Sequence, residues 1–134
     1  MPSNLEQLPT SLFEGCTNLT LVGNNITGDS LTTVGERSFY GCSNMELDFN
    51  GGASSVKYIL TRAFGADGKV TLASLPAGLE VIENAAFTAA GFTAIEVGFT
   101  SLPSTLTTIE NNAFASRKIA ADLNGIRKLY MPCA

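Results

Sequence analysis

The chain has 134 residues, 45% of them hydrophobic and 15% charged, and a formal net charge of −4. This length suits one domain, and the composition is that of a globular chain, not a disordered one. The acidic balance and the lack of a basic stripe argue against nucleic acid as a partner, because neutralising phosphates requires clustered Lys and Arg. No run reaches 18 consecutive apolar residues, so we predict no insertion into a membrane.

One pattern recurs along the chain: a phenylalanine preceded by aliphatic residues five and eight positions earlier. Leu, Ile and Val occupy 28 of the 134 positions, yet they fill all ten of these places, so composition alone does not produce the pattern. Successive phenylalanines of the pattern are 23 to 27 residues apart, which is the period of leucine-rich repeats. The five copies, called units 1 to 5 below, are Leu5, Leu8, Phe13; Leu31, Val34, Phe39; Val56, Ile59, Phe64; Leu79, Ile82, Phe87; and Leu106, Ile109, Phe114.

Each unit is predicted to continue from its phenylalanine through a turn into a short strand. Gly15 and Gly41 mark the turn in units 1 and 2, because Gly permits a tight bend. In unit 5 the strand is delayed behind an insertion, residues 115–125, whose Ala-rich stretch could form a helical turn. Stacking the units places like residues above like, so we predict a continuous ladder of buried phenylalanines. Alternation of apolar and polar residues predicts strands at 19–21, 45–49, 70–72, 95–97 and 126–131.

The longest copies of the pattern, residues 75–87 and 102–114, begin with Leu-Pro, continue as Leu-x-x-Ile and end in Ala-Phe. Together with Gly-Cys at 15–16 and 41–42, they resemble the BspA-like bacterial leucine-rich repeat. The resemblance covers essentially the whole chain, although the turns of units 3 and 5 lack Gly-Cys. It implies a leucine-rich-repeat solenoid: a β-rich, right-handed stack of about five units of 23–27 residues, with short parallel strands and little helix, in a single domain spanning 1–134.

The resemblance also implies a cell-surface or secreted protein that binds a host or cell-surface protein, with no catalytic residues. We therefore expect a non-catalytic protein-binding module; a passive spacer that presents another domain is the alternative. The residues agree, since the chain has no histidine to act as a general base and no Cys-x-x-Cys pair to begin a zinc site. No cofactor is expected. Because the first repeat begins four residues from Met1, we interpret the chain as a piece of a longer protein.

The alternation in the predicted strands puts their aliphatic residues in the core and leaves a polar set on one exposed face. This set varies from unit to unit, as expected of a binding surface more than of a spacer. We predict that the acidic face receives a partner presenting Lys or Arg. Loops 22–30 and 50–55 are the competing site, because connections on a rigid scaffold often carry recognition. The predicted ligand-binding residues are Thr20, Glu46, Asp48, Thr71, Glu96 and Tyr130.

Three further expectations follow from stacking. Cys16 and Cys42 occupy the same place in adjacent units, where β-carbons are spaced more widely than is usual for a bridge, so we expect two buried thiols, with a disulfide as the alternative. Glu83 and Glu110 are also equivalent, and we expect a solvated charged ladder, with a carboxylate pair as the alternative. The apolar first unit is expected to associate end to end or to be covered by irregular chain.

Overall fold

A computed structural model describes residues 4–20, 30–43, 55–65, 75–88 and 102–114 with their side chains. It also describes the backbone of three further strands: β5 (Ile95–Val97), β7 (Arg117–Ile119) and β8 (Lys128–Leu129). All regular secondary structure within these residues is β-strand. The β-rich repeat stack predicted from the sequence is confirmed.

Six very short strands form one parallel sheet, in the order β1 (Gln7–Leu8), β2 (Thr33–Val34), β3 (Tyr58–Ile59), β4 (Val81–Ile82), β6 (Thr108–Ile109) and β8. The second residue of each strand in units 1 to 5 is the second aliphatic residue of its unit and is buried. Neighbouring strands pair these equivalent residues, as Leu8 with Val34 and Ile82 with Ile109.

The main sheet therefore precedes each phenylalanine, whereas the strands were predicted after it. The reason is register: the nine residues from the first aliphatic residue to the phenylalanine have the same length in every unit, while the remainder varies. Only this segment of constant length can keep equivalent residues paired in one parallel sheet through the whole stack. Among the predicted strands, 95–97 is confirmed as β5, 19–20 is irregular, and 45–49 and 70–72 lie outside the described residues.

Near the end of the chain the structure confirms the strand predicted at 126–131, as β8, and adds a strand that was not predicted, β7. The insertion 115–125 contains strand β7, which pairs with β5 in a separate two-stranded parallel sheet, where a helical turn was considered. Strand β8 falls inside the predicted strand 126–131, but it joins the main sheet opposite β6. Ile126 and Leu129 thus repeat the spacing of Leu106 and Ile109 and begin a sixth unit.

The five phenylalanine rings stack in a ladder, as predicted. Neighbouring ring centroids are 5.2 to 5.3 Å apart, and from Phe39 onward the planes lie within 5° to 6° of parallel. Four rings are fully buried, and burying each contributes on the order of 2 kcal/mol. Phe13, in unit 1, is only half-buried and its ring is tilted by 24° from that of Phe39. The ladder is therefore least well ordered in unit 1.

A second ladder of hydrogen bonds joins the units at the phenylalanine turn. In unit 2, the N–H groups of Phe39 and Gly41 donate to carbonyls of Ala63 and Gly65 in the next unit, both at 2.9 Å. The N–H of Tyr40, between them, donates within the turn to Arg37 at 3.0 Å. Donors thus alternate between the same turn and the next unit. The backbone reaches this geometry through a left-handed residue two positions before each phenylalanine, with φ between 54° and 58°: Ser11, Arg37, Arg62, Ala85 and Asn112.

The cysteines confirm the prediction only in part. Cys42 is buried and its thiol donates to the carbonyl oxygen of Phe13 at 3.1 Å. Cys16 is exposed, because it belongs to unit 1 and no described unit covers its outer side. The two residues do not form a disulfide.

Leu12, also in unit 1, is 45% exposed, and end-to-end association through this unit stays a prediction.

Candidate binding face

The outward side of the main sheet forms a continuous surface, here called the outer face. It consists of the residues four, six and seven positions before each repeat phenylalanine. The residue six positions before each phenylalanine is the first residue of a strand. Its side chain points away from the buried aliphatic residue that follows it, because side chains alternate along a strand. In units 1 to 5 the outer face is Glu6, Gln7, Pro9; Thr32, Thr33, Gly35; Lys57, Tyr58, Leu60; Glu80, Val81, Glu83; and Thr107, Thr108, Glu110.

Tyr58 is the central feature of the outer face. This residue is 37% exposed, and it pairs in register with Val81 of the next unit. The phenol donates a hydrogen bond to Glu80 Oε2 at 3.1 Å. This bond, and then the charge of Glu80, raise the pKa of Tyr58. Tyr58, Leu60 and Val81 together make a small apolar centre on units 3 and 4.

Carboxylates adjoin this centre on units 4 and 5. Glu83 Oε2 accepts hydrogen bonds from the backbone N–H and the hydroxyl of Thr61, at 2.9 and 3.0 Å. Glu110 Oε2 accepts from the N–H of Asn84 at 3.1 Å. Each carboxylate is half-buried and accepts a hydrogen bond from a backbone N–H of the preceding unit. Glu83 and Glu110 therefore link neighbouring units, a role that the predicted solvated ladder did not include.

The flanks of the apolar centre are formed by threonines on units 2 and 5. The hydroxyl of Thr32 donates to the carbonyl of Glu6, and that of Thr107 to the carbonyl of Glu80, both at 3.3 Å. These bonds hold two of the side chains against the backbone of the preceding unit. The third residue of the outer face on unit 2 is Gly35, which has no side chain. Tyr58 therefore has only small neighbours on unit 2.

A second polar cluster lies on the turn side of units 1 and 2. Arg37 binds both carboxylate oxygens of Glu14, at 2.6 and 3.3 Å, and its guanidinium lies 4.1 Å from the centre of the Tyr40 ring. Hydrogen bonds from Arg37 and then from Ser11 lower the pKa of Glu14 to about 2. A β-carbon at Gly65 would lie 2.9 Å from the Tyr40 ring, so the ring needs a glycine beside it. The charges of Arg37 and Glu14 therefore pair with each other.

The predicted ligand-binding residues are not brought together by the described part of the structure. Thr20 is exposed at the end of unit 1, outside any strand. The backbone of Glu96 lies at the centre of β5, opposite Lys118 of β7. Glu46, Asp48, Thr71 and Tyr130 lie outside the described residues, as do nearly all of loops 22–30 and 50–55.

The sequence did contain a signal for the outer face. In each Leu-x-x-Ile segment the first and last residues are always aliphatic, whereas the two residues between them, which belong to the outer face, differ among most units. Within the residues that the structure describes, no three His, Cys, Asp or Glu side chains are grouped so that they could hold a metal ion. The same part of the chain has no helix long and apolar enough to cross a membrane.

A family model, the BspA type leucine rich repeat region, matches residues 1–120 in six copies. The family resemblance predicted from the sequence is thereby confirmed. No match was found among curated proteins or among solved structures.

Proposed function

Because the chain belongs to the BspA-type leucine-rich repeat family, we propose that it is a non-catalytic, protein-binding module of a bacterial cell-surface or secreted protein, acting in adhesion or host interaction. The supporting observation is the outer face. Its strand positions change from Gln to Thr, Tyr, Val and Thr, while the residue beside each in the strand stays aliphatic and buried. A passive spacer would repeat small polar residues on this face and would not expose a tyrosine at its centre.

Two observations favour a non-catalytic role. The chain has no histidine, so the commonest general base is missing. The carboxylates of Glu83 and Glu110 accept hydrogen bonds from backbone N–H groups, which holds them as structural acceptors in a face without a described metal-binding group.

The proposal is tested by binding of the labelled chain to intact epithelial cells and to other bacteria. We expect saturable binding that excess unlabelled chain displaces. The matched variants are Tyr58→Thr on the outer face and Tyr40→Thr on the turn side. Only Tyr58→Thr should lower the binding, since Thr occupies the same place in units 2 and 5 and leaves the fold unchanged. A spacer would give no saturable binding to either kind of cell.

A further inference from the structure

The charges of the outer face are distributed unevenly. Lys57, on unit 3, is the one cation among its described residues, whereas units 4 and 5 carry carboxylates only. Stacked units are separated by about 4.8 Å at the strand, so these carboxylates lie close to the apolar centre around Tyr58. The carboxylates of units 4 and 5 are Glu80, Glu83 and Glu110.

These carboxylates are held in place and are only half exposed. Each uses Oε2 to accept from the protein: Glu80 from Tyr58, Glu83 from Thr61, and Glu110 from Asn84. A carboxylate offers about four lone-pair sites on two oxygens, so each can still accept from an incoming donor. Being oriented beforehand, they would lose little conformational entropy when a cation binds.

We propose that the outer face of units 3 to 5 binds a basic segment of the partner protein, in which Lys or Arg flanks an apolar side chain. The inference rests on the proposed binding function and specifies the chemistry of its partner. The apolar side chain packs on Tyr58 and Val81, and the cations pair with Glu83 and Glu110. Tyrosine suits this role because it offers a large contact area at the centre of an interface with few rotatable bonds.

Charge complementarity selects this occupant over an acidic one. An acidic segment would bring like charges against the carboxylates of units 4 and 5, and such contacts are destabilising. A wholly apolar segment would remove water from half-buried carboxylates without supplying a cation to pair with them, which also costs free energy. A basic segment avoids both costs.

The probes are two fluorescent peptides of equal length, one of alternating Arg and Val and the other of alternating Glu and Val. Their binding to the whole chain is measured by fluorescence anisotropy at low and high salt. We expect the basic peptide to bind, with an affinity that falls as salt rises, and the acidic peptide to bind at least tenfold more weakly.

Three variants locate the site. Tyr58→Thr, and the double variant Glu83→Gln with Glu110→Gln, should each weaken the basic peptide at least tenfold. Glutamine keeps an oxygen for the backbone N–H groups of Thr61 and Asn84, so the fold is retained. The control Glu36→Gln removes an exposed charge three residues before Phe39, off the outer face, and should leave the affinity unchanged.

Several results would overturn the proposal. These are failure of the basic peptide to bind, equal binding of both peptides, or a loss in Glu36→Gln as large as in the double variant. Unchanged binding in Tyr58→Thr would overturn the apolar contact. If these occur while cell binding still depends on Tyr58, the proposed function stands and only the partner's chemistry is wrong. Absence of saturable cell binding would instead refute the function itself.

Discussion

Glu83 accepts two hydrogen bonds from Thr61, one from its backbone N–H at 2.9 Å and one from its hydroxyl at 3.0 Å. Thr61 belongs to the turn of unit 3 and Glu83 to the strand segment of unit 4. The Glu83 carboxylate therefore accepts from a residue of the hydrogen-bonded turn of unit 3. It thereby links units 3 and 4 through a side chain. Glu110 and Asn84 repeat the backbone half of this contact one unit later.

Removing this contact should destabilise the stack. We expect Glu83→Ala to lower the free energy of unfolding by about 1 to 3 kcal/mol, because it leaves a partly buried N–H without an acceptor. Glu83→Gln should cost less, since its amide oxygen still accepts. Urea unfolding followed by circular dichroism measures both variants. Equal losses in the two would show that charge alone, and not the hydrogen bond, is responsible.

Ser38 offers a stabilising substitution. It is fully buried before Phe39, and its hydroxyl has no hydrogen-bond partner among the residues that the structure describes. Units 3 to 5 place Ala at this position. Ser38→Ala should therefore raise the free energy of unfolding by about 1 kcal/mol, because an uncompensated polar group leaves the core. Ala63→Ser is the reverse control and should lower it. A destabilised Ser38→Ala would mean that the hydroxyl has a partner after all.

The left-handed turn position predicts a second stabilising change. Ala85 and Asn112 are equivalent and have φ of 55° and 58°. Residues with a β-carbon are disfavoured there, but Asn tolerates this conformation better than Ala. Ala85→Asn should raise the thermal midpoint, corresponding to a gain of up to about 1 kcal/mol, and Asn112→Ala should lower it. Shifts of the same sign in both variants would rule out backbone conformation as the cause.

The pair of Glu14 and Arg37 predicts a dependence of stability on pH. The folded-state pKa of Glu14 is lowered from 4.5 to about 2, chiefly by its hydrogen bond with Arg37. A lowered carboxyl pKa contributes stability that is fully present above pH 4.5 and is lost as pH falls towards 2. The stability difference between the native chain and Glu14→Gln should thus shrink over this window. Because both groups are exposed, added salt should reduce it. A difference independent of pH would contradict the assignment.

The phenylalanine ladder predicts unequal costs of truncation. Phe64 is fully buried between Phe39 and Phe87, with both centroid distances 5.2 Å, so Phe64→Ala should cost about 3 to 5 kcal/mol. Phe13→Ala should cost less, because this ring is half-buried and stacks on one described ring only. Denaturant titrations of the two variants provide the comparison. If Phe13→Ala lowered the free energy of unfolding more than Phe64→Ala, packing in unit 1 would contribute more to stability than packing in the middle of the ladder.

The sequence by itself determined the repeat, the family and the core. Each unit of a solenoid contacts only its neighbours, so residues recurring at the same offset must stack on one another. Phe39, Phe64 and Phe87 could therefore be assigned to one buried ladder from their spacing alone. The residue before the ring is small in units 2 to 5, whereas unit 1 has Leu12, which is 45% exposed.

Only the tertiary structure decided which half of each unit forms the sheet, and so which side chains face outward. A strand such as Tyr58–Ile59 is two residues long, too short for alternation to be recognised, whereas the longer alternations after each phenylalanine looked more like strands. Contacts between units were equally hidden. Glu83 meets Thr61 across 22 residues because stacking brings their units together, and no local pattern in either segment specifies that partner.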